Sequence, residues 1–225
     1  MIKKLFAIGM LALTCLGASA QDKIFDNPNN PAYFGFRLGV DVVCPGDVKY
    51  DDLKHSAFKT GAGFNTGFIL NMPIWKNMYI EPGVKVYYNS MPTKAGYTSD
   101  IIPASAKVSY RRSGFRIPIR VGYHFDFDPV AIHVFTGFEP DCAWWGRQHA
   151  TANIDGNKWS SNEKLFVKDG LRRFDLGWQF GAAVAYHNWW FEVCGNVGML
   201  DLQPGPASYH QNYCAFTLGY NFIAY

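Results

Sequence analysis

The side chains that could do chemistry in this chain are few and scattered. His124 follows Arg120 by four residues, and His133 could approach the two from a neighbouring strand, while His149, Asp155 and His210 fall in segments without regular patterning. Histidines near acids and cations suit acid–base hydrolysis, yet no serine stands at a spacing that would set a nucleophile against His124 or His133. An enzyme acting on lipid or lipopolysaccharide at a loop mouth is the alternative these histidines leave open. The reading preferred here is non-enzymatic, with no catalytic set, cofactor or metal site. Past residue 20 the cysteines are Cys44, Cys142, Cys194 and Cys214. No Cys–His spacing reads as a metal site, and alternation sends Cys194 and Cys214 to opposite faces, so no disulfide is assured.

The charged residues are more ordered than the histidines. Arg37, Asp41, Glu81, Lys85, Arg116, Arg120, Glu139, Asp175 and Glu192, four cations and five carboxylates, each sit in a segment where polar or small residues alternate with large apolar ones. They share a face with glycines, with His124 and His133, and with Gln179 and Asn196. Buried charges persist when paired, so this set is expected to form a structural ion-pair network filling an interior.

The elements that position these residues read as strands. Phe174, Leu176, Trp178, Phe180, Ala182, Val184 and Tyr186 alternate with Asp175, Gly177, Gln179, Gly181, Ala183 and Ala185, and after His187-Asn188 the pattern resumes at Trp189. The same period of two runs from Phe34, Ala62, Ile80, Phe115, Val130 and Phe216, giving about eight strands with no helical period between them. Long connections (Cys44 to Lys59, Ser90 to Lys107, Trp144 to Arg172, Asp201 to Gln211) alternate strictly with short ones (Met72 to Asn77, Asp126 to Pro129, His187-Asn188). Short periplasmic turns and longer extracellular loops are the habit of an eight-stranded antiparallel up-and-down transmembrane β-barrel, all-β, with both termini in the periplasm. A lipocalin-like soluble carrier is a further alternative, but it would put its charges outside and its apolar residues within.

Composition agrees. Aromatic residues make up 17% and charged residues 17%, with no apolar run after residue 20 long enough for a membrane helix. Aromatics gather near the short turns (Trp75, Tyr79, Tyr123, Phe125, Phe127, Trp189, Trp190) and near the long connections (Tyr87, Tyr88, Tyr110, Trp144, Trp145), as two interfacial girdles would. Lys3-Lys4, the apolar stretch to Leu16 and Ala18-Ser19-Ala20 have the grammar of a signal peptide cleaved after residue 20. The expected organisation is signal peptide 1–20, periplasmic segment 21–32 and barrel 33–225, located in the outer membrane. Loss of residues 1–20 takes the 21 basic and 18 acidic residues to 19 and 18, a net charge of +1 that calls for no nucleic-acid partner. The third long connection holds Arg147, Lys158, Lys164, Lys168, Arg172 and Arg173 beside Trp144, Trp145 and Trp159, so it is either a solvated loop or a contact for lipopolysaccharide phosphates.

Two stretches carry a family resemblance. Arg116-Ile117-Pro118-Ile119-Arg120-Val121-Gly122-Tyr123-His124-Phe125 resembles the l-P-l-l-x-y-x-F strand of PorT-type outer-membrane β-barrel domains, small barrels akin to the OmpA and OmpX type in Gram-negative bacteria. Arg173-Phe174-Asp175-Leu176-Gly177-Trp178-Gln179-Phe180-Gly181 resembles their f-D-x-G-x-x-x-G strand. Phe34 to Gly39, Tyr79 to Pro82 and Leu218 to Phe222 fit in the same order. The resemblance implies insertion by the barrel-assembly machinery, which reads an aromatic-rich last strand. Ile223-Ala224-Tyr225 run past that ending. One branch of the family is associated with protein secretion and gliding, a role not transferred here.

Overall fold

The computed structural model describes residues 32–46, 48–50, 53–55, 59–93, 104–154, 157–167, 170–203 and 207–223. The signal peptide, the segment up to residue 31, Asp155, Lys168 and Tyr225 lie outside the described residues. The strands in chain order are β1 (Tyr33–Pro45), β2 (Val48–Tyr50), β3 (Leu53–His55), β4 (Gly61–Trp75), β5 (Met78–Pro92), β6 (Ala104–Arg116), β7 (Ile119–Phe127), β8 (Val130–Ile154), β9 (Asn157–Lys164), β10 (Phe174–Tyr186), β11 (Trp189–Gly198), β12 (Ala207–Ser208) and β13 (Gln211–Ile223).

Every pairing is antiparallel, and the sheet closes on itself. Neighbours run β1, β4, β5, then β6 and β7 end to end, then β8, β10, β11 and β13, with β13 returning to β1 along the register Tyr33↔Ile223 to Pro45↔Gln211. That is a ring of eight staves, because β6 and β7 occupy one stave: β5 and β8 each pair with both of them. The break falls at Ile117-Pro118. Pro118 has no N–H to give the ladder, and Gly83 N donates instead to Pro118 O at 2.8 Å while Ile117 N donates to Pro140 O at 2.9 Å. Within the ring each stave is paired on both sides, as backbone groups facing hydrocarbon require, and open edges are left to the extensions such as β9, which pairs with β8 alone.

Alternation sets the two faces as expected. Leu38, Val40, Phe64, Ile119, Phe180, Val193 and Phe216 point outward and are exposed, whereas Arg37, Asp41, Arg116, Glu139 and Glu192 are buried within. Two turns, Lys76-Asn77 and His187-Asn188, place a non-glycine residue in the left-handed region, with φ of 49° at Lys76 and 52° at His187. Tight two-residue hairpins need that conformation to match the twist of their strands.

The connections differ from expectation at one end of the barrel. The segment from Trp144 to Arg172, expected as a loop, is largely strand: β8 runs 25 residues to Ile154 and turns back as β9, paired from Arg147↔Lys164 to Ile154↔Asn157. Likewise β6 begins at Ala104 rather than near Phe115. These extensions rise past the apolar band, where both faces meet water and the oily/polar alternation has no cause to persist. The first and last long connections also pair with each other, as the short sheet β12-β2-β3.

Candidate functional site

The interior is where the chain concentrates its polar chemistry, and each of the eight staves contributes a side chain. Near the middle, Arg116 on β6 meets Asp41 on β1 through Nη1 and Oδ2 at 2.7 Å, and its Nε lies 3.7 Å from Glu139 and 3.6 Å from Asp141 on β8. Asn65 Nδ2 on β4 donates to Asp41 Oδ1 at 2.6 Å. One turn of the lumen toward the long connections, Arg112 pairs with Asp141 at 2.9 Å and donates to Gln211 Oε1 at 3.1 Å, and Tyr87 OH donates to Asp141 at 2.8 Å. Toward the short turns, Arg120 on β7 contacts Glu192 on β11 at 2.8 Å and Glu81 on β5 at 3.3 Å, with Lys85 3.9 Å from the second Glu192 oxygen. Gln179 on β10 joins the two clusters: it accepts from Arg120 Nε at 3.0 Å and donates to Glu139 at 2.6 Å. Tyr213 OH on β13 donates to Glu139 as well.

Aromatic rings lie beneath the cations. Arg116 is stacked between Tyr87 and Tyr213, its guanidinium carbon 4.1 and 4.0 Å from the two ring centres, Arg120 is 4.5 Å above Phe135, and Arg37 is 4.6 Å above Trp190. A desolvated guanidinium gains about 2 kcal/mol from such a face. This corrects the girdle assignment for Tyr79, Tyr87 and Trp190, which are all buried inside rather than at the membrane border. Trp75, Tyr123, Phe125, Phe127 and Trp189 do face outward near the short turns. Glycines clear the space these inner side chains need. A Cβ at Gly122 would stand 2.2 Å from the Tyr79 ring, and one at Gly219 would stand 2.6 Å from Arg37 Nη1.

Of the nine charged residues singled out from the sequence, seven meet an opposite charge: Asp41, Glu81, Lys85, Arg116, Arg120, Glu139 and Glu192. Arg37 and Asp175 do not, among the described residues. Arg37 instead donates to Asn221 Oδ1 at 2.8 Å and rests on Trp190, while Asp175 Oδ1 accepts the backbone N–H groups of Leu176 at 2.8 Å and Leu200 at 3.4 Å. Arg112 and Asp141 were not in the expected set, although extending the period of two from Arg116 through Gly114, and from Glu139, reaches both.

The space left over is small on one side and polar on the other. Between Arg116, Glu139, Asp141, Asn196, Gln211 and Tyr213 a void of about 10 Å³ remains, the lower limit for a single water. Near the short turns, Tyr33 OH, Arg37 Nε and Nη2, Tyr79 OH, His124 Nε2 and His133 Nδ1 are buried with no hydrogen-bond partner among the described residues. His124 Nδ1 lies 2.8 Å from Asp126 Oδ1, and its ring faces those of Tyr79 and His133. At the opposite mouth, Leu165, Leu202 and Tyr209 are buried, and burial pushes the Tyr110 and Tyr209 hydroxyls above the ordinary phenol value. Cys44, Cys142, Cys194 and Cys214, the cysteines among the described residues, are free thiols; Cys44 on β1 stands across the ring from Cys142 on β8 and diagonal to Cys214, since Val42 pairs with Cys214 and Cys44 with Asn212.

Comparison with solved structures returns outer-membrane proteins. OprG from Pseudomonas aeruginosa compares with a TM-score of 0.49 at 12% identity, covering 87% of this chain and 98% of that one. Ail, the attachment invasion locus protein of Yersinia pestis, compares at 0.37 and 14% identity over 85% and 99%, and Neisserial surface protein A at 0.39 and 11% over 84% and 97%. Among curated proteins there is no significant sequence match to the chain. A family model does match, over residues 19–203. With its strands closed into a ring, its oily face outward and its charges inward, the chain belongs to the outer membrane protein beta-barrel domain family, and its place is the outer membrane.

Proposed function

We propose that this chain is a non-enzymatic outer-membrane barrel whose lumen is plugged by its own side chains and whose extracellular connections bind a ligand or brace the envelope. The observation that carries this reading is the bridging of opposite walls by Arg116 and Arg120, each held to carboxylates from two other strands. Eight strands leave an interior that side chains can fill, whereas open channels come with sixteen or more. The nine residues Arg37, Asp41, Glu81, Lys85, Arg116, Arg120, Glu139, Asp175 and Glu192 are then structural. Residues 1–20 serve as the export signal, and the barrel-assembly machinery inserts the mature chain, within the PorT-type group that the strand motifs resemble.

The test is conductance. Purified mature chain reconstituted into planar bilayers is expected to give no stepwise current, and proteoliposomes bearing it no swelling in small sugars. Reproducible conductance steps from the folded, heat-modifiable form would overturn the plugged-lumen reading. Turnover of phospholipid or lipopolysaccharide that is lost in both His124→Ala and His149→Ala variants would overturn the non-enzymatic one.

A further inference from the structure

Outside the barrel, on the side of the long connections, the sheet carries a cross-strand row of like charges. Arg111 on β6 pairs with Arg147 on β8, and Arg147 pairs in turn with Lys164 on β9. Directly opposed residues share a face and stand about 5 Å apart at Cβ, and like charges so placed repel. All three are exposed, and among the described residues no ion pair involves any of them. Inside the barrel the chain supplies acids to nearly every cation. Here, among the described residues, no acid stands in the row, and the nearest, Glu163, is paired with Gln148 on the alternate face.

The surroundings say what the row faces. Two residues down from Arg111 and Arg147, roughly 7 Å closer to the apolar band, the cross-strand register Phe64↔Tyr88↔Ser113↔Trp145 sets an outward aromatic row over β4, β5 and β8: Phe64 stacks on Tyr88 at 5.7 Å and Tyr88 on Trp145 at 6.3 Å. Trp144, set outward by the register shift opposite Ser113 and Gly114, packs edge-on to Phe115 at 4.2 Å. Aromatic rings of this kind mark the border between acyl chains and headgroups. The cations therefore stand one step above that border, pointing away from the barrel axis. Arg147, Lys164 and Arg173 also line a hollow of about 200 Å³ with Trp144, Trp145 and Phe166, and Arg173 is steadied by its bond to Trp144 O at 3.1 Å and by the Phe166 ring at 5.0 Å.

The geometry points to a binding site for the phosphorylated headgroup of an outer-leaflet lipid, of which lipid A is the chemical type, held by Arg111, Arg147 and Lys164 with its sugar or upper acyl carbons against Trp144, Trp145 and Phe166. Guanidinium forks and an ammonium suit phosphate oxygens, and an anion between them removes the repulsion that the bare row carries. The inference rests on the membrane placement proposed above and names the partner of one outer face of that barrel.

The experiment uses the full mature chain in neutral detergent, with native mass spectrometry counting bound lipid. Purified lipid A is expected to bind the wild type tightly and dephosphorylated lipid A poorly. The triple variant Arg111→Gln, Arg147→Gln, Lys164→Gln is expected to lose on the order of a hundredfold in affinity, about fivefold for each cation near an anionic surface. Lys158→Gln, outside the row, is expected to bind as the wild type does. Unchanged binding in the triple variant would overturn the site, as would equal binding of the dephosphorylated lipid. Displacement of lipid A by micromolar inorganic phosphate would make this a free-phosphate site instead, and tighter binding of a soluble sulfated polysaccharide would reassign it to a solution polyanion; either overturns the lipid assignment. Heat-modifiable mobility, run on the same samples, separates the two levels: its absence from the wild type would sink the membrane barrel itself, whereas its presence with failed lipid binding sinks the site alone.

Discussion

Replacing Arg120 with methionine tests the inner charge network where it is most demanding. The substitution keeps much of the side-chain volume over Phe135 but removes the contacts to Glu192 at 2.8 Å, Glu81 at 3.3 Å and Gln179 at 3.0 Å. Glu192 keeps Trp190 Nε1 at 3.0 Å and Lys85 at 3.9 Å, but Glu81 loses its recorded cation. Breaking a buried pair from one side costs about 3–5 kcal/mol, because the charge left behind is uncompensated. An expected loss of about 4 kcal/mol, at a slope of roughly 2 kcal/mol per molar urea, lowers the unfolding midpoint by about 2 M. The assay is reversible urea unfolding in detergent or lipid vesicles, followed by gel mobility and tryptophan fluorescence. The triple variant Arg120→Met, Glu81→Gln, Glu192→Gln removes the stranded charges too, and is expected to regain about half of the loss. A single variant losing less than about 0.5 M, or a triple variant no more stable than the single one, would refute the claim that these side chains are held as ion pairs in a low-dielectric interior.

Val193 faces outward between Ala182 and Phe216, so Val193→Arg is expected to cost about 2–4 kcal/mol if that face meets the hydrocarbon midplane; the same urea titration checks it, and a change near zero would point to water outside. Gly122→Leu drives a side chain into the Tyr79 ring and is expected to cost about 1–3 kcal/mol, with partial rescue by Tyr79→Ala in the same assay. At the mouth, burial raises the Tyr209 hydroxyl above the usual phenol value, so as pH climbs past about 10 the unfolded chain loses that proton first and stability falls. Unfolding midpoints measured from pH 8 to 11 are expected to decline above that point, and to decline less steeply in Tyr209→Phe.

How much of this was legible in the sequence follows from what surrounds each strand. Between Phe174 and Tyr186 one side meets acyl chains and the other the lumen, so residue type and facing coincide and the strand can be read directly. Above the border the coincidence ends. His149, Thr151 and Ser160 are polar because both faces of β8 and β9 are wet, and a 25-residue strand then looks like a loop. Arg112 was within reach of the period of two, but only to a reading that carried β6 past Gly114. The partners were not legible at all. That Arg116 should meet Asp41, 75 positions away, depends on the β1–β13 closure and on how far the staves are staggered, and neither is encoded by local pattern. Trp189-Trp190 shows the same limit: adjacent identical residues divide between lipid and lumen, and only the burial of the second reveals a platform for Arg37.

The contrast between inner and outer charge gives the clearest statement of how this barrel uses its environment. A cation buried in the lumen is shielded from bulk water, so the chain carries the counter-charge itself, and it does so with acids, amides and ring faces drawn from the seven staves other than β6–β7, which brings the three arginines Arg112, Arg116 and Arg120. A cation on the outer rim above the aromatic border faces a surface that brings its own phosphates. There the chain need supply no acid, and an acid would compete with the lipid. That no carboxylate among the described residues stands in register with Arg111, Arg147 and Lys164 is therefore informative in a way that a lone exposed lysine is not. A water-facing strand extension has no need to align three like charges in register, since placing a glutamate at any one of those positions would be stabilising by a few tenths of a kcal/mol to about 1 kcal/mol. Arg147→Glu makes the argument measurable: in detergent free of anionic lipid it is expected to stabilise the β8–β9 hairpin, read as slower amide exchange there, and on addition of lipid A the order is expected to invert in favour of the wild type. A variant that is less protected in both conditions would mean that the row is held by something within the chain rather than by the membrane surface.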